Sequence, residues 1–305
     1  MSDFTSNFWN LYIVILTVAA LLFCVWILAV VGKREEKAAS KTTHVWDGDL
    51  TEYNNPLPNW WRGLFWALLI FSVGYLIYYP GLGSFKGLGG WSQVGQFDQE
   101  MRALEAKTKP MYDGFLAMSA EDLSKDQKAM GTAERIFQNE CARCHGSDAR
   151  GAIGFKNLRS GAWNWGGSPA EIEESIAEGR TGVMLPMGEA LGGSDGVQSV
   201  VAYVRALSGL PHDANLVAQG EVLFDENCTS CHGNDARGMK EIGAPDLTDS
   251  DWDYGSSEKA MAKIVEFGHN SELEEGAFAM PAHKGVLSTG QIHLLTSYVW
   301  GLTNK

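Results

Sequence analysis

The chain has 305 residues, enough for about two domains, and its 45% apolar and 20% charged residues exclude a disordered chain. A net charge of −13, from 24 basic and 37 acidic residues, argues against a nucleic-acid binder, which needs a basic footprint. Five cysteines are too few for a disulfide scaffold of this length, and an odd number cannot all pair internally. The mean hydropathy of −0.13 looks like that of a soluble protein, but the apolar residues are unevenly placed.

Residues 11–32 form a run of 22 without a charge. At 1.5 Å per residue, such a helix reaches roughly the 30 Å of a bilayer core. A cleaved signal peptide would carry basic residues ahead of the run, whereas this one is preceded by Asp3 and no Lys or Arg. Residues 63–79 form a second uncharged run with Trp60, Trp61, Tyr78 and Tyr79 at its ends, where membrane interfaces favour aromatic residues; Pro80 and Gly81 end it. Two transmembrane helices are predicted, at about 9–32 and 60–80. The loop between them holds Lys33, Arg34, Lys37 and Lys41, with Arg62 opening the second span. The positive-inside rule puts this loop in the cytoplasm and both termini outside, in a periplasm-like space for a Gram-negative source. Residues 1–85 therefore read as a membrane anchor, and 86–127 as a polar connecting segment with some helix.

The remainder contains an internal repeat. Cys141-Ala-Arg-Cys144-His145-Gly-Ser-Asp-Ala-Arg150-Gly is matched by Cys228-Thr-Ser-Cys231-His232-Gly-Asn-Asp-Ala-Arg237-Gly. Phe137 and Phe224 each precede their motif by four residues; Leu158 and Leu247 are each followed five residues later by Trp163 and Trp252; Tyr203-Val204 matches Tyr298-Val299. The repeat defines two related domains, 128–210 and 211–305, with Pro211 at the junction. Both read as mainly helical: Ser168-Pro169 opens a helix, 196–208 and 289–302 have apolar residues at helical intervals, and Gly-rich loops lie between.

Cys-x-x-Cys-His is the signature of covalent haem attachment. Two thiols three residues apart on a helical turn face one side and can form thioethers with the haem vinyl groups, while the adjacent imidazole points at the iron. A zinc site would need further ligands, and a redox dithiol explains neither the histidine nor the repeat. Two covalently bound haem c groups are expected, one on Cys141, Cys144 and His145, the other on Cys228, Cys231 and His232. A sixth ligand from Met raises the potential. Met280, followed by Pro281, is expected to serve the second domain's haem, with His269 and His283 as competitors. For the first domain Met184 is favoured, because Met184 and Met280 each precede a leucine by seven residues; Met187, next to Pro186, is the alternative. Each proximal histidine needs an acceptor for Nδ1–H, offered by the loops around Pro245 and, with Lys in place of Pro, Lys156. Trp163 and Trp252 are candidates to pack on haem or donate to a propionate; Arg150, Arg180 and Arg237 could pair with propionates.

Each repeat resembles class I cytochrome c in its haem motif and later Met loop. The segment His44-Val-Trp46-Asp47-Gly-Asp49-Leu-Thr-Glu52-Tyr-Asn54-Asn55-Pro56-Leu-Pro58-Asn-Trp60-Trp61 resembles that of the dihaem subunit III of cbb3-type cytochrome c oxidases, where it likewise precedes a membrane anchor and two cytochrome domains. The extra N-terminal span and the Met-Leu-Pro order at Met184 depart from that pattern. With the two N-terminal spans read from the uncharged runs, the resemblance implies a mainly α protein of a bacterial inner membrane, with two tandem class I cytochrome c domains on the periplasmic side. It implies electron entry from a donor cytochrome c and relay through a sister monohaem cytochrome subunit to a catalytic haem-copper subunit, which reduces oxygen and pumps protons. No oxygen chemistry is expected on this chain. A free-standing membrane-anchored carrier is the alternative; a dihaem peroxidase would need an open iron position, which paired Met ligands deny. Residues 81–305 carry −12 of the net charge, so a donor with a basic face is expected.

Overall fold

The computed structural model describes residues 6–32, 41–53, 57–270 and 279–304. It divides into two units, residues 1–107 and 108–305. Lys33, Arg34, Lys37, Asn54, Asn55 and Pro56 lie outside the described residues.

In the first unit, α1 (Asn7–Gly32) and α2 (Asn59–Tyr78) are both long and apolar enough to cross a membrane, α1 being the more apolar. Neither has a polar face, and neither is buried by protein, so their side chains suit lipid better than water. The segment between them, expected to be a plain loop, contains a hairpin of β1 (Lys41–Trp46) and β2 (Leu50–Tyr53), with Trp46 opposite Leu50. Asp47, Gly48 and Asp49 turn it, with Asp47 and Gly48 in the left-handed region at φ of 47° and 89°. Pro80, which cannot donate a hydrogen bond, follows the last bond of α2, from Tyr79 N to the Tyr75 carbonyl. The connecting segment is more helical than expected: α3 (Gln93–Leu116) occupies most of it.

Among its described residues, the second unit is helix and loop with a few isolated β-bridges. Short α4 (Ala120–Leu123) leads to α5 (Gln127–Glu140), α6 (Ala142–His145), α7 (Pro169–Glu178) and α8 (Ser194–Leu207). The second repeat supplies α9 (Ala214–Asn227), α10 (Thr229–His232), α11 (Glu258–Phe267) and α12 (Thr289–Thr303). The starts are chemically specified: Asp126 and Asp213 cap α5 and α9, and Ser168, Ser257 and Ser288 cap α7, α11 and α12.

The packing follows a different division from the sequence repeat. One core gathers Phe137, Ala149, Ile172 and Ile176 of the first repeat with Leu287, Ile292, Leu295 and Val299 of the second. The other gathers Leu191, Val197, Val200, Val201 and Val204 of the first with Phe224, Ala236 and Met261 of the second. Thus α12 closes on α5 and α7, while α8 closes on α9 and α11. The residues matched by the repeat meet crosswise: the Phe137 ring packs tilted against Tyr298 and Phe224 against Tyr203, each at 5.3 Å between ring centroids. Residues 181–270 make one core continuously, and the other is split between 127–180 and 279–304. Leu123, Ala129, Ala133 and Leu294 extend the split core, with Tyr112 and Phe115 from the end of α3 packed on it.

Leu295 is fully buried, so Leu295→Ala should cost about 2–5 kcal/mol of stability in chemical denaturation. Although it lies in the second repeat, the change should disturb the environment of Cys141 and leave that of Cys228 intact. Glu171 links the cores: its carboxylate accepts from Lys240 at 2.6 Å and caps its own helix through Ser168. These bonds, Lys240 first, lower its pKa from 4.5 to about 2. A depressed carboxylate stabilises the fold above its unfolded pKa, and that contribution is lost as pH falls through the folded value. Melting temperatures measured between pH 6 and pH 2 (roughly the window set by those values) should fall less steeply for Glu171→Gln than for the parent.

Candidate haem-binding sites

Each Cys-x-x-Cys-His motif is a single helical turn set at the end of a longer helix. Cys141 N bonds the Phe137 carbonyl at 2.8 Å, and His145 N bonds the Cys141 carbonyl at 3.0 Å. The second motif repeats this with Cys228 N to Phe224 O at 2.8 Å and His232 N to Cys228 O at 2.9 Å. Gly146 and Gly233, at φ of 77° and 78°, end both turns. All four cysteines are free thiols. Burial pushes Cys141 and Cys228 up to about 11, which keeps both as neutral thiols, with Glu140 and Cys144 adding to the effect at Cys141 and Cys231 at Cys228.

The histidines are held neutral by burial, which lowers both pKa values. His145 Nδ1 lies 3.0 Å from the Lys156 carbonyl, so that nitrogen donates and Nε2 keeps its lone pair for a metal. His232 Nδ1 is buried beside the Pro245 carbonyl, which partly offsets the lowering, without a bond of good geometry. Both acceptor loops anticipated from the sequence are thus in place, including the one where Lys replaces Pro.

The methionine loops lie differently from the expectation that each repeat would serve its own haem motif. Met280 packs against the core that contains Phe137 and Cys141, not the one that contains Cys228. Its backbone pairs with that of Arg180 through two bonds of 2.9 and 2.8 Å. Met184 pairs in the same way with His269, at 2.9 and 2.8 Å. The following residues repeat the correspondence: His283 N bonds the Ile176 carbonyl at 3.1 Å and Met187 N bonds the Val265 carbonyl at 2.9 Å. Met184 therefore occupies the position of Met280, and Met187 that of His283. Met187 packs against the core that contains Phe224 and borders Cys228, and His283 lies near enough to His145 to lower its pKa. His269 is engaged with Tyr254, whose hydroxyl is 2.6 Å from Nε2.

The cofactor test rests on what these side chains lack. Among the described residues, buried Trp252 Nε1 and His283 Nδ1 have no hydrogen-bond partner. Buried polar groups are rarely left unpaired, so both sites suit a further polar partner such as a bound group. Neutral imidazoles with a directed Nε2, free thiol pairs on one turn and half-buried methionines in facing loops suit a covalently held haem. Arg180 is already committed, to Glu174 at 3.0 Å and Ser175 at 2.9 Å, and lies over the Trp165 ring. Arg150 is exposed beside Asp148, and Arg237 is exposed.

One group escaped sequence reasoning. Lys156 lies between Asp251 and Asp253, 2.8 and 3.3 Å away, with all three side chains less than one-fifth exposed. The alternating aspartates at 249, 251 and 253 were the available signal, but nothing in the sequence placed them opposite Lys156.

The N-terminal domain family of cytochrome oxidase-cbb3, FixP, matches residues 38–86. The family of cytochrome c oxidase, cbb3-type, subunit III, matches residues 128–204 and 215–299. The cbb3-type cytochrome c oxidase subunit CcoP of Rubrivivax gelatinosus is 43% identical, over 99% of this chain and 97% of that protein. The FixP subunits of Sinorhizobium medicae and of a Bradyrhizobium species are 37% and 36% identical, over 74% and 86% of this chain and 84% and 93% of those proteins. With c-type haem motifs on paired helical turns and this similarity along nearly its whole length, the chain belongs to the family of subunit III of cbb3-type cytochrome c oxidases.

Proposed function

We propose that this chain is the electron-entry subunit of a membrane-bound cbb3-type oxidase, carrying two covalently bound haem c groups. The observation that carries the reading is the placement of each methionine loop beside a Cys-x-x-Cys-His turn of the other repeat. On this reading Cys141, Cys144 and His145 hold one haem with Met280, and Cys228, Cys231 and His232 hold the other with Met184. Haem c with two axial ligands from the protein carries one electron at a time and leaves no open position for a substrate. The protein then binds the group, fixes the histidine tautomers, keeps water from the iron and sets the potential through its Met ligands. Trp252 Nε1 and His283 Nδ1, unpartnered among the described residues, would be available to the haem or to ordered water.

Helices α1 and α2 anchor the chain in an inner membrane, with the hairpin cytoplasmic and the haem unit periplasmic; Lys41, which opens the hairpin, and Arg62, in the first turn of α2, agree with that orientation. The acidic haem unit receives electrons from a donor cytochrome with a basic face. It passes them through a monohaem cytochrome subunit to a haem-copper subunit, where oxygen reduction drives proton pumping.

Purification from membranes should bring down a haem-copper subunit and a monohaem cytochrome, and haem analysis should give two haems per chain; a chain that purifies without the haem-copper subunit overturns the assignment. Met280→Ala should convert the haem on His145 to high spin and leave the other low-spin, and Met184→Ala should do the reverse. Met187→Ala should leave both low-spin. Optical and EPR spectra read all three. Donor association should slow as salt rises, as opposite charges require, and stopped-flow rates independent of ionic strength would remove the basic-face partner.

A further inference from the structure

The loops that carry the histidine acceptors match in their hydrogen bonds, although the second is two residues longer. Gly151 N bonds the His145 carbonyl at 2.7 Å, and Gly238 N bonds the His232 carbonyl at 2.8 Å. Leu158 N returns to the Ala149 carbonyl at 2.9 Å, and Leu247 N to the Ala236 carbonyl at 2.8 Å. A Cβ on Gly151 would strike the carbonyls of Phe155 and Lys156, and one on Gly238 those of Ala244 and Pro245. The same close approach presses each acceptor loop onto its haem-motif turn, with Lys156 where the other loop has Pro245.

The two residues differ in what holds the carbonyl still. The Pro245 ring fixes its own φ and removes backbone freedom before any contact is made. Lys156 has no such restraint, yet its carbonyl is the one with the well-formed bond to His145 Nδ1. The restraint is at the other end of the residue: Nζ is 2.8 Å from Asp251 Oδ2 and 3.3 Å from Asp253 Oδ1. Both aspartates belong to the second repeat and are themselves tied to the first. Ser160 Oγ donates to Asp251 at 2.9 Å, Asn164 Nδ2 donates to Asp253 at 2.9 Å, and Gly154 N donates to the Asp253 carbonyl at 2.6 Å. Lysine and two carboxylates, mostly screened from water, form a pairing in which loss of one member leaves charge without compensation.

We infer that Lys156 is a positioning residue for His145: clamped by Asp251 and Asp253 of the other repeat, it does by ion pairing what Pro245 does by its ring. The inference rests on the proposed haem at His145. It makes the second repeat a determinant of the first haem's ligand field, because a hydrogen bond to Nδ1 sets both the plane and the basicity of the imidazole.

The test compares Lys156→Met with Lys156→Pro in the full chain within its membranes. Both remove the same charge, and only proline restores a fixed carbonyl, in a loop whose twin already accepts it. The ferric EPR signals of the two haems report imidazole orientation, redox titration reports their potentials, and Met280→Ala identifies the signal of the haem on His145. Lys156→Met should shift and broaden that signal and change that haem's reduction equilibrium by about tenfold relative to Lys156→Pro, which is about 59 mV for one electron. Lys156→Pro should keep the parent line shape, and the haem on His232 should be unchanged in both. Asp251→Asn, which leaves Lys156 in place and asks less of folding, should reproduce the methionine effect in milder form at the His145 haem. Identical spectra and potentials for the Met and Pro variants, or an Asp251→Asn effect confined to the His232 haem, overturn the clamp while leaving two haems per chain. A parent chain without haem on Cys141 and Cys144 overturns the haem assignment itself, and the clamp with it.

Discussion

Six residues connect the end of α8 at Leu207 to the start of α9 at Ala214. A connection so short makes its two helices antiparallel neighbours. It is also pinned: buried Arg205 donates from Nε to the Pro211 carbonyl at 2.7 Å and from Nη1 to the Ser256 carbonyl, and Leu210 N returns to the Arg205 carbonyl at 2.8 Å. Once α8 lies on α9, the helix that ends the first repeat is committed to the helix that opens the second. The helix that opens the first repeat, α5, must then find its partner in α12. The crosswise cores, the crosswise aromatic pairs and the crosswise methionine loops all follow from that one turn.

The two closures differ in chain entropy. In the continuous core the paired helices are joined by the six-residue turn, whereas α5 and α12 are separated by roughly 150 residues, and the logarithmic loop cost puts the difference at about 3 kcal/mol. That is comparable to one buried leucine side chain, so a well-packed α12 offsets it. The offset is visible in the packing: Leu294 and Leu295 are wholly buried, and Tyr112 and Phe115 from α3 add a layer that the continuous core does not have. At the α8–α9 contact the fit is closer, since a Cβ on Gly220 would collide with the Ser199 carbonyl.

Much of this is legible in the sequence. Periodicity and capping residues placed the helices, and the repeat paired Phe137 with Phe224 and Tyr203 with Tyr298 as equivalents. The exchange was not legible from the repeat, because equivalent surfaces are complementary whether they meet within a repeat or between repeats; only connection length breaks the tie. The spacing from Met to Leu did align Met184 with Met280, and the backbone pairing of Met184 with His269 and of Met280 with Arg180 repeats that alignment. It could not say which histidine each faces. The hairpin at 41–53 was missed although Asp47-Gly48 between short alternating runs is a hairpin signal, because the charge of the surrounding loop dominated its reading.

On the proposed reading of two haems, the exchange also bears on what two neighbouring redox sites require. Electron transfer between fixed groups falls steeply with separation, so a relay needs its sites held at a constant spacing and insulated from reorganisation. Two self-contained domains on a linker would set that spacing by a flexible joint. Here Gly154 bonds Asp253, Asn164 bonds its own counterpart in the repeat, and Trp165 packs where a Cβ on Gly243 would be, so the loops flanking the two histidine acceptors form one interlocked body. Sharing each core between repeats removes the joint altogether: neither site can shift without unpacking a helix of the other. On the proposed reading, the same interlock that fixes the distance also lets the carboxylates beside one haem orient the histidine of the next. The two sites then differ in ligand field although their motifs are nearly the same, and such a difference is what gives a relay its direction.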